Sequence, residues 1–165
     1  MPPLVSITGR PDSGKTTIIV KLIHEFNKRG FRVGTIKHHR HGFEMDCPGK
    51  DSWRHKQAGS AVTIISSPER IGMVKDVHHD YSLDELIPFF TDVDIILAEG
   101  YKHENKPKIE IFRPEVHKRP ISEKDGHLIA LVTDSDFEIV AVPRFATNAL
   151  EDITDFLIMY FELIK

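Results

Sequence analysis

Apolar and polar positions along the chain repeat with either a two-residue or a roughly 3.6-residue period, and each change of period marks an element. Leu4 to Thr8 is a short run rich in β-branched residues that stops at Gly9, which predicts a buried strand. Ile18, Ile19, Leu22, Ile23 and Phe26 then recur at helical spacing, and Gly30 stands where a helix C-cap glycine belongs. Phe31 to Ile36 reads as a second strand, so the chain opens with a βαβ unit whose strands run parallel. From His38 to Lys50 the apolar period disappears and His, Arg, Gly, Asp and Pro take over, the pattern of a long loop that carries function.

A short helix is predicted from about Ser52 to Ala58, ended by Gly59. Val62 to Ile65 and Ile71 to Val74 are short strands on either side of Ser66-Ser67-Pro68, an arrangement suited to a hairpin. Ser82 and Glu85 have capping-box spacing, and Leu83, Leu86, Ile87 and Phe90 give the next helix an apolar face that Pro88 helps to close. Val93 to Ala98, Ile109 to Phe112 and Leu128 to Val132 read as further core strands, with a charged, proline-bearing stretch before the last. Asn148 and Glu151 repeat the capping spacing ahead of a final helix striped by Ile153, Phe156, Leu157, Tyr160, Phe161 and Ile164. The expected fold is α/β: a mostly parallel P-loop NTPase sheet flanked by helices, with additional short strands or a hairpin.

At 165 residues the chain suits a single nucleotide-binding domain over 1–165. With 40% hydrophobic and 28% charged residues it has the balance of a globular protein. A formal charge of -3 argues against nucleic acid as a partner, since affinity for a phosphate backbone needs an excess of Lys and Arg on one face. The longest apolar runs, such as Ile95 to Ala98, fall far short of the ~20 residues of a membrane span, so no membrane is expected. Met1-Pro2-Pro3 leads directly into a strand with no basic start or small-residue cleavage site, and Cys47 is the only cysteine. Both point to a cytoplasmic protein in a reducing compartment.

Gly9-Arg10-Pro11-Asp12-Ser13-Gly14-Lys15-Thr16 matches G-x-x-x-x-G-K-[ST] in full and lies between a predicted strand and a predicted helix. In such a loop the backbone N–H groups turn inward on a polyphosphate, Lys15 reaches the β- and γ-phosphates, and the Thr16 hydroxyl ligates magnesium. The positive end of the following helix adds to the attraction. The bland alternative is a glycine turn with an incidental lysine, which the flanking elements disfavour. Asp12 is expected to point outward, leaving the cradle intact. Glu99 follows the apolar run Ile95 to Ala98 and precedes Gly100, a position for holding magnesium or orienting water, or simply for ending the strand.

His38, His39, His41 and His55 invite a metal reading, but closed zinc sites want four ligands drawn mainly from Cys and His, and one thiol is present. A solvated loop whose Lys37, His38, Arg40 and Lys50 approach an anionic ligand accounts for them better. Arg113, Lys118 and Arg119 suit either the mobile lid of a small-molecule kinase or a solvated edge. A metal-delivery GTPase of the nickel-insertion kind is a further alternative, weakened by the lone thiol.

Thr8-Gly9 through Ser13-Gly14-Lys15-Thr16-Thr17, Lys37-His38-His39, Phe43, Asp46, Pro48 to Ser52, Arg54-His55, Ala58-Gly59 and Ala98 to Lys102 together resemble one family, the molybdopterin-guanine dinucleotide biosynthesis adapter proteins (MobB). The resemblance spans nearly the whole chain. It implies a protein that binds GTP with Mg2+, has weak GTPase activity and forms a homodimer. It also implies an accessory role beside the molybdenum cofactor guanylyltransferase, which attaches GMP to the pterin, with molybdopterin itself a further candidate ligand. Within that likeness Arg10 corresponds to a basic residue that acts across the subunit seam, although Pro11 and Asp12 replace the glycines of the wider pattern. Asp46, Asp51 and Arg54 fall in a switch-like segment, making Asp51 a candidate magnesium ligand, while its local reading, shared with Ser52, is a helix cap. Asp134 ends the strand Leu128 to Val132 where GTP-binding folds place the aspartate that reads guanine.

Overall fold

The computed structural model describes residues 1–39, 41–137, 139 and 142–165. The chain clusters into two compact units, one made of Met1–His38 and Ser82–Lys165, the other of His39–Tyr81.

The larger unit is built on a six-stranded sheet. In chain order its strands are β1 (Leu4–Thr8), β2 (Val33–Lys37), β5 (Ile95–Glu99), β6 (Lys108–Ile111), β7 (Leu128–Val132) and β8 (Arg144–Phe145). Across the sheet they stand β2-β5-β1-β6-β7-β8, and every neighbouring pair is parallel. Parallel strands need cover on both faces, which is why β1 and most of β5 are buried at successive positions without alternation. One face packs Val5, Ile7, Leu97 and Ile109 against Leu22 and Phe26 of α1 (Lys15–Lys28) and Ile153 and Leu157 of α4 (Leu150–Tyr160). The opposite face packs Leu4, Ile36, Ile96 and Ala98 against Leu83 and Ile87, from α3 (Leu83–Leu86) and the 3-10 turn after it. Burying a Leu or Phe side chain completely contributes about 1.5–3 kcal/mol, so these two clusters set the position of every strand end.

The smaller unit contains α2 (Asp51–Gln57) and an antiparallel hairpin of β3 (Val62–Ser66) and β4 (Ile71–Lys75). Among the described residues no helix is long and apolar enough to cross a membrane.

The sequence pattern locates these elements to within a few residues, and the differences have local causes. The capping box of α3 forms as expected, with the Glu85 carboxylate accepting from Ser82 N–H at 2.9 Å. Asn148 does not cap the last helix: Ala149 is its N-cap, with no side-chain bond, and the turn before it is tied instead to Asp134. Neither Asp51 nor Ser52 caps α2, whose N-cap is Lys50. The apolar stripe of α4 stops short of Ile164, which lies beyond the helix and is 88% exposed. Phe31 is not part of β2, because its ring packs edge-on against Phe26. Two-residue β8 is too short to leave a periodic signal in the sequence.

β6 carries two buried charges. Lys108 is 1% exposed and uses all three of its donors, on Lys102 O at 3.1 Å, Glu104 O at 2.9 Å and the Asp125 carboxylate at 2.6 Å. Burial works against the Asp125 charge, but the bonds from Lys108 and from His127 N–H outweigh it and hold the carboxyl below its usual range. Glu110, equally buried, accepts from Ile121 N–H and Ser122 N–H, each at 2.7 Å. The two side chains pin the loops on either side of β6. Glu110→Ala strips two backbone donors of their partner and should cost roughly 3 kcal/mol of stability, read as a lower urea midpoint with unchanged slope.

Candidate functional site

The loop between β1 and α1 is shaped by residues that tolerate left-handed backbone. Gly9 has φ 141°, Asp12 φ 61° and Gly14 φ 91°. At Gly9 a Cβ would lie 2.5 Å from Ile111 O and 2.6 Å from Ser13 Oγ, so no side chain fits there without displacing backbone. Ser13 is 1% exposed, and its hydroxyl has no partner among the described residues. Gly14 is the N-cap of α1 and supplies no side-chain cap, and the first turn carries no acidic residue. The leading N–H groups and the positive helix end therefore remain available to an anion.

Lys15 folds back across the loop, its Nζ donating to Arg10 O at 2.7 Å. Burial lowers its pKa, Glu99 and Asp12 oppose that shift, and Lys37 adds to it. Thr16 Oγ1 lies 3.0 Å from both carboxylate oxygens of Glu99. Glu99 ends β5, the neighbour of β1 on one side, in register with Ile7 and with Lys37. Lys37 Nζ stands 3.5 Å from Glu99 Oε1. The turn that follows is closely specified: Gly100 has φ 102°, a Cβ there would sit 3.2 Å from His38 Cβ, and Tyr101 has φ 51°. The His38 and Tyr101 rings lie 4.6 Å apart over it.

The other expected site residues occupy distinct places. Arg10, Pro11 and Asp12 are exposed on the loop, and Thr17 is exposed in the first turn of α1. Asp134 follows β7 on the other side of β1, and its carboxylate accepts from Thr147 N–H at 2.8 Å and Thr147 Oγ1–H at 2.6 Å. Those two bonds hold its pKa below the ordinary carboxylate value. Asp51 belongs to the smaller unit, where its side chain is 92% exposed and 4.0 Å from the Arg54 guanidinium. His39 and His41 also lie there, the ring Nδ1 of His39 2.9 Å from His41 O, and Arg40 lies outside the described residues. Among the described residues no three His, Cys, Asp or Glu side chains gather as metal ligands.

Two residues near the loop take on meaning only in three dimensions. Lys37 reads in sequence as one of several loop cations, yet its strand end puts it beside Glu99. Arg113 reads as part of a lid or of a solvated edge, yet its guanidinium lies against Gly14. Thr147, the partner of Asp134, has no sequence signal at all. For Lys37 and Arg113 the usable signal is their place just at or after a strand's C-terminal end, the edge where open α/β sheets bind ligands.

The family model for molybdopterin guanine dinucleotide synthesis protein B matches residues 4–134. The molybdopterin-guanine dinucleotide biosynthesis adapter protein of Haemophilus influenzae is 41% identical over 94% of this chain and 87% of its own length. The Escherichia coli adapter protein is 35% identical over 98% of this chain and 95% of its own. Among solved structures, Bacillus subtilis MobB superposes with a TM-score of 0.76 at 26% identity, covering 96% of this chain and 98% of that one. A molybdopterin-guanine biosynthesis protein B structure gives 0.75 at 27% identity, covering 96% and 99%. With the phosphate-loop geometry, the family match over most of the chain and relatives alike from end to end, this chain belongs to the molybdopterin guanine dinucleotide synthesis protein B family.

Proposed function

We propose that this protein is a cytoplasmic GTP-binding adapter that assists the attachment of GMP to molybdopterin, working as a homodimer beside a molybdenum cofactor guanylyltransferase. The observation that carries the reading is the meeting of Lys15, Thr16 and Glu99 at a loop whose glycines leave its backbone donors uncovered. The adapter role rests on what the Haemophilus influenzae and Escherichia coli relatives are named for.

The residues present fit a magnesium nucleotide. Ser13 Oγ is a buried hydroxyl without a partner among the described residues, and Gly9 and Gly14 add no side chain to the loop. Thr16 and Glu99 supply the hydroxyl and carboxylate that such an ion takes, and the bound ion would neutralise charge on the phosphates. Lys15 exchanges its carbonyl partner on Arg10 for phosphate oxygens. Lys37 balances Glu99 and keeps that carboxylate oriented. Asp134 is assigned to guanine N1 and N2, since a carboxylate has about four acceptor positions and Thr147 uses two of them. Arg10, exposed on the loop, is assigned to a neighbouring subunit's nucleotide, which makes turnover by one subunit weak.

The hairpin supports the homodimer. Ile64 is 59% exposed, Ile65 51% and Ile71 76%, and a two-stranded sheet with both outer edges unpaired is marginal by itself. A second copy of the same hairpin offers matching apolar side chains and strand edges.

Lys15→Ala should weaken GTP binding at least about 100-fold while leaving the circular dichroism spectrum and melting temperature intact, since the ammonium faces the loop and not the core. Unchanged GTP affinity in that variant sinks the assignment. Light scattering should return the mass of two chains, and Ile64→Lys should shift it toward one. A parent protein that is monomeric across working concentrations overturns the dimer.

A further inference from the structure

The loop after β6 carries a cation for which the site described above has no use. Phe112 fastens that loop to β7, its N–H donating to Val132 O at 2.9 Å and its ring lying edge-on to Phe137 with centroids 5.2 Å apart. Arg113 then begins a turn in which its carbonyl accepts from Val116 N–H at 3.1 Å and His117 N–H at 3.0 Å. The turn lays the guanidinium against the phosphate loop: a Cβ at Gly14 would lie 2.8 Å from Arg113 Nη2 and 3.3 Å from Cζ. Among the described residues the Arg113 side chain makes no hydrogen bond or ion pair. It shares a cavity of about 270 Å³ with Phe112, Pro114, Glu115 and Asp134.

The Arg113 guanidinium stands beside the N-terminal end of α1, where the helix dipole is positive, and its charge favours the ionised Asp134 carboxylate. With no hydrogen bond of its own among the described residues, the flat cation is free to face a ligand in that cavity. The sheet order says which part of a nucleotide would arrive there. β5 and Glu99 flank the loop on one side of β1, and β6 and β7 flank it on the other. Phosphates placed at Lys15 and Thr16, next to Glu99, leave the nucleoside to extend toward the cavity that Arg113 and Asp134 line.

We infer that Arg113 holds the nucleoside end of the bound nucleotide, its guanidinium stacking on the purine in the cavity bounded by Asp134. The inference rests on the nucleotide reading above. Guanidinium is planar and weakly hydrated and is favoured over aromatic faces, where an ammonium gains less. Stacking is indifferent to base identity, so Arg113 contributes affinity while any choice of guanine falls to Asp134.

Calorimetric titration of the full chain with GTP, GDP and inorganic tripolyphosphate tests this. In Arg113→Ala, GTP and GDP should weaken by the same factor, about tenfold, with tripolyphosphate affinity unchanged. Arg113→Lys should recover only part of the loss. An equal loss for tripolyphosphate would show that Arg113 merely supports the phosphate loop, and a loss confined to GTP would place it at the γ-phosphate. Either result overturns the inference, as does unchanged nucleotide affinity or full recovery with lysine. A parent chain that binds tripolyphosphate and neither nucleotide removes the nucleotide reading itself.

Discussion

A hydroxyl at the start of α1 and a carboxylate at the end of β5, separated by 83 residues of chain, lie 3.0 Å apart, and the site depends on that contact. It exists because β1 and β5 are parallel neighbours, which brings both C-terminal ends to one edge of the sheet. Hydrophobic burial on both faces sets the register, and the register puts Glu99 beside Ile7 and Lys37. The polar groups inherit their geometry from apolar packing. That division suits a site that must be rigid before an anion arrives, since preformed donors cost little reorganisation when it binds.

Backbone conformation supplies the second constraint. Gly9 and Gly14 occupy left-handed conformations where a side chain would meet Ile111 O or the Arg113 guanidinium. Asp12 adopts a positive φ without being glycine, a conformation aspartate tolerates better than most residues. Around the loop the charges are arranged in opposition: Lys37 at the end of β2 and Lys15 after β1 flank Glu99, and Asp134 is held by Thr147 beyond β6. The buried pair on β6, Lys108 and Glu110, holds the surrounding loops without reaching the site.

Much of this was legible from residues alone. The phosphate loop is contiguous, so a motif of eight positions between a strand and a helix is enough to identify it. Apolar periodicity located the core strands and α1, α3 and α4 because each buries its own local stripe. The capping spacing Ser82 to Glu85 predicted a real box, whereas Asn148 to Glu151 did not, because a bond from Thr147 to Asp134 anchors that turn instead. The family likeness lay in short blocks such as Lys37-His38-His39 and Ala98 to Lys102, which no periodicity argument generates.

By itself, then, the order of residues determined the elements, the phosphate-loop chemistry and the identity of Glu99 as a strand-end carboxylate, all of them properties of contiguous segments. Tertiary structure decided the strand order and with it which ends meet: Thr16 with Glu99, Lys37 with Glu99, Arg113 with Gly14, Asp134 with Thr147. The reason is physical. Strand neighbours are chosen by the packing of two whole apolar faces at once, so a contact between distant residues is set by the sum of that burial and leaves no mark in the local pattern.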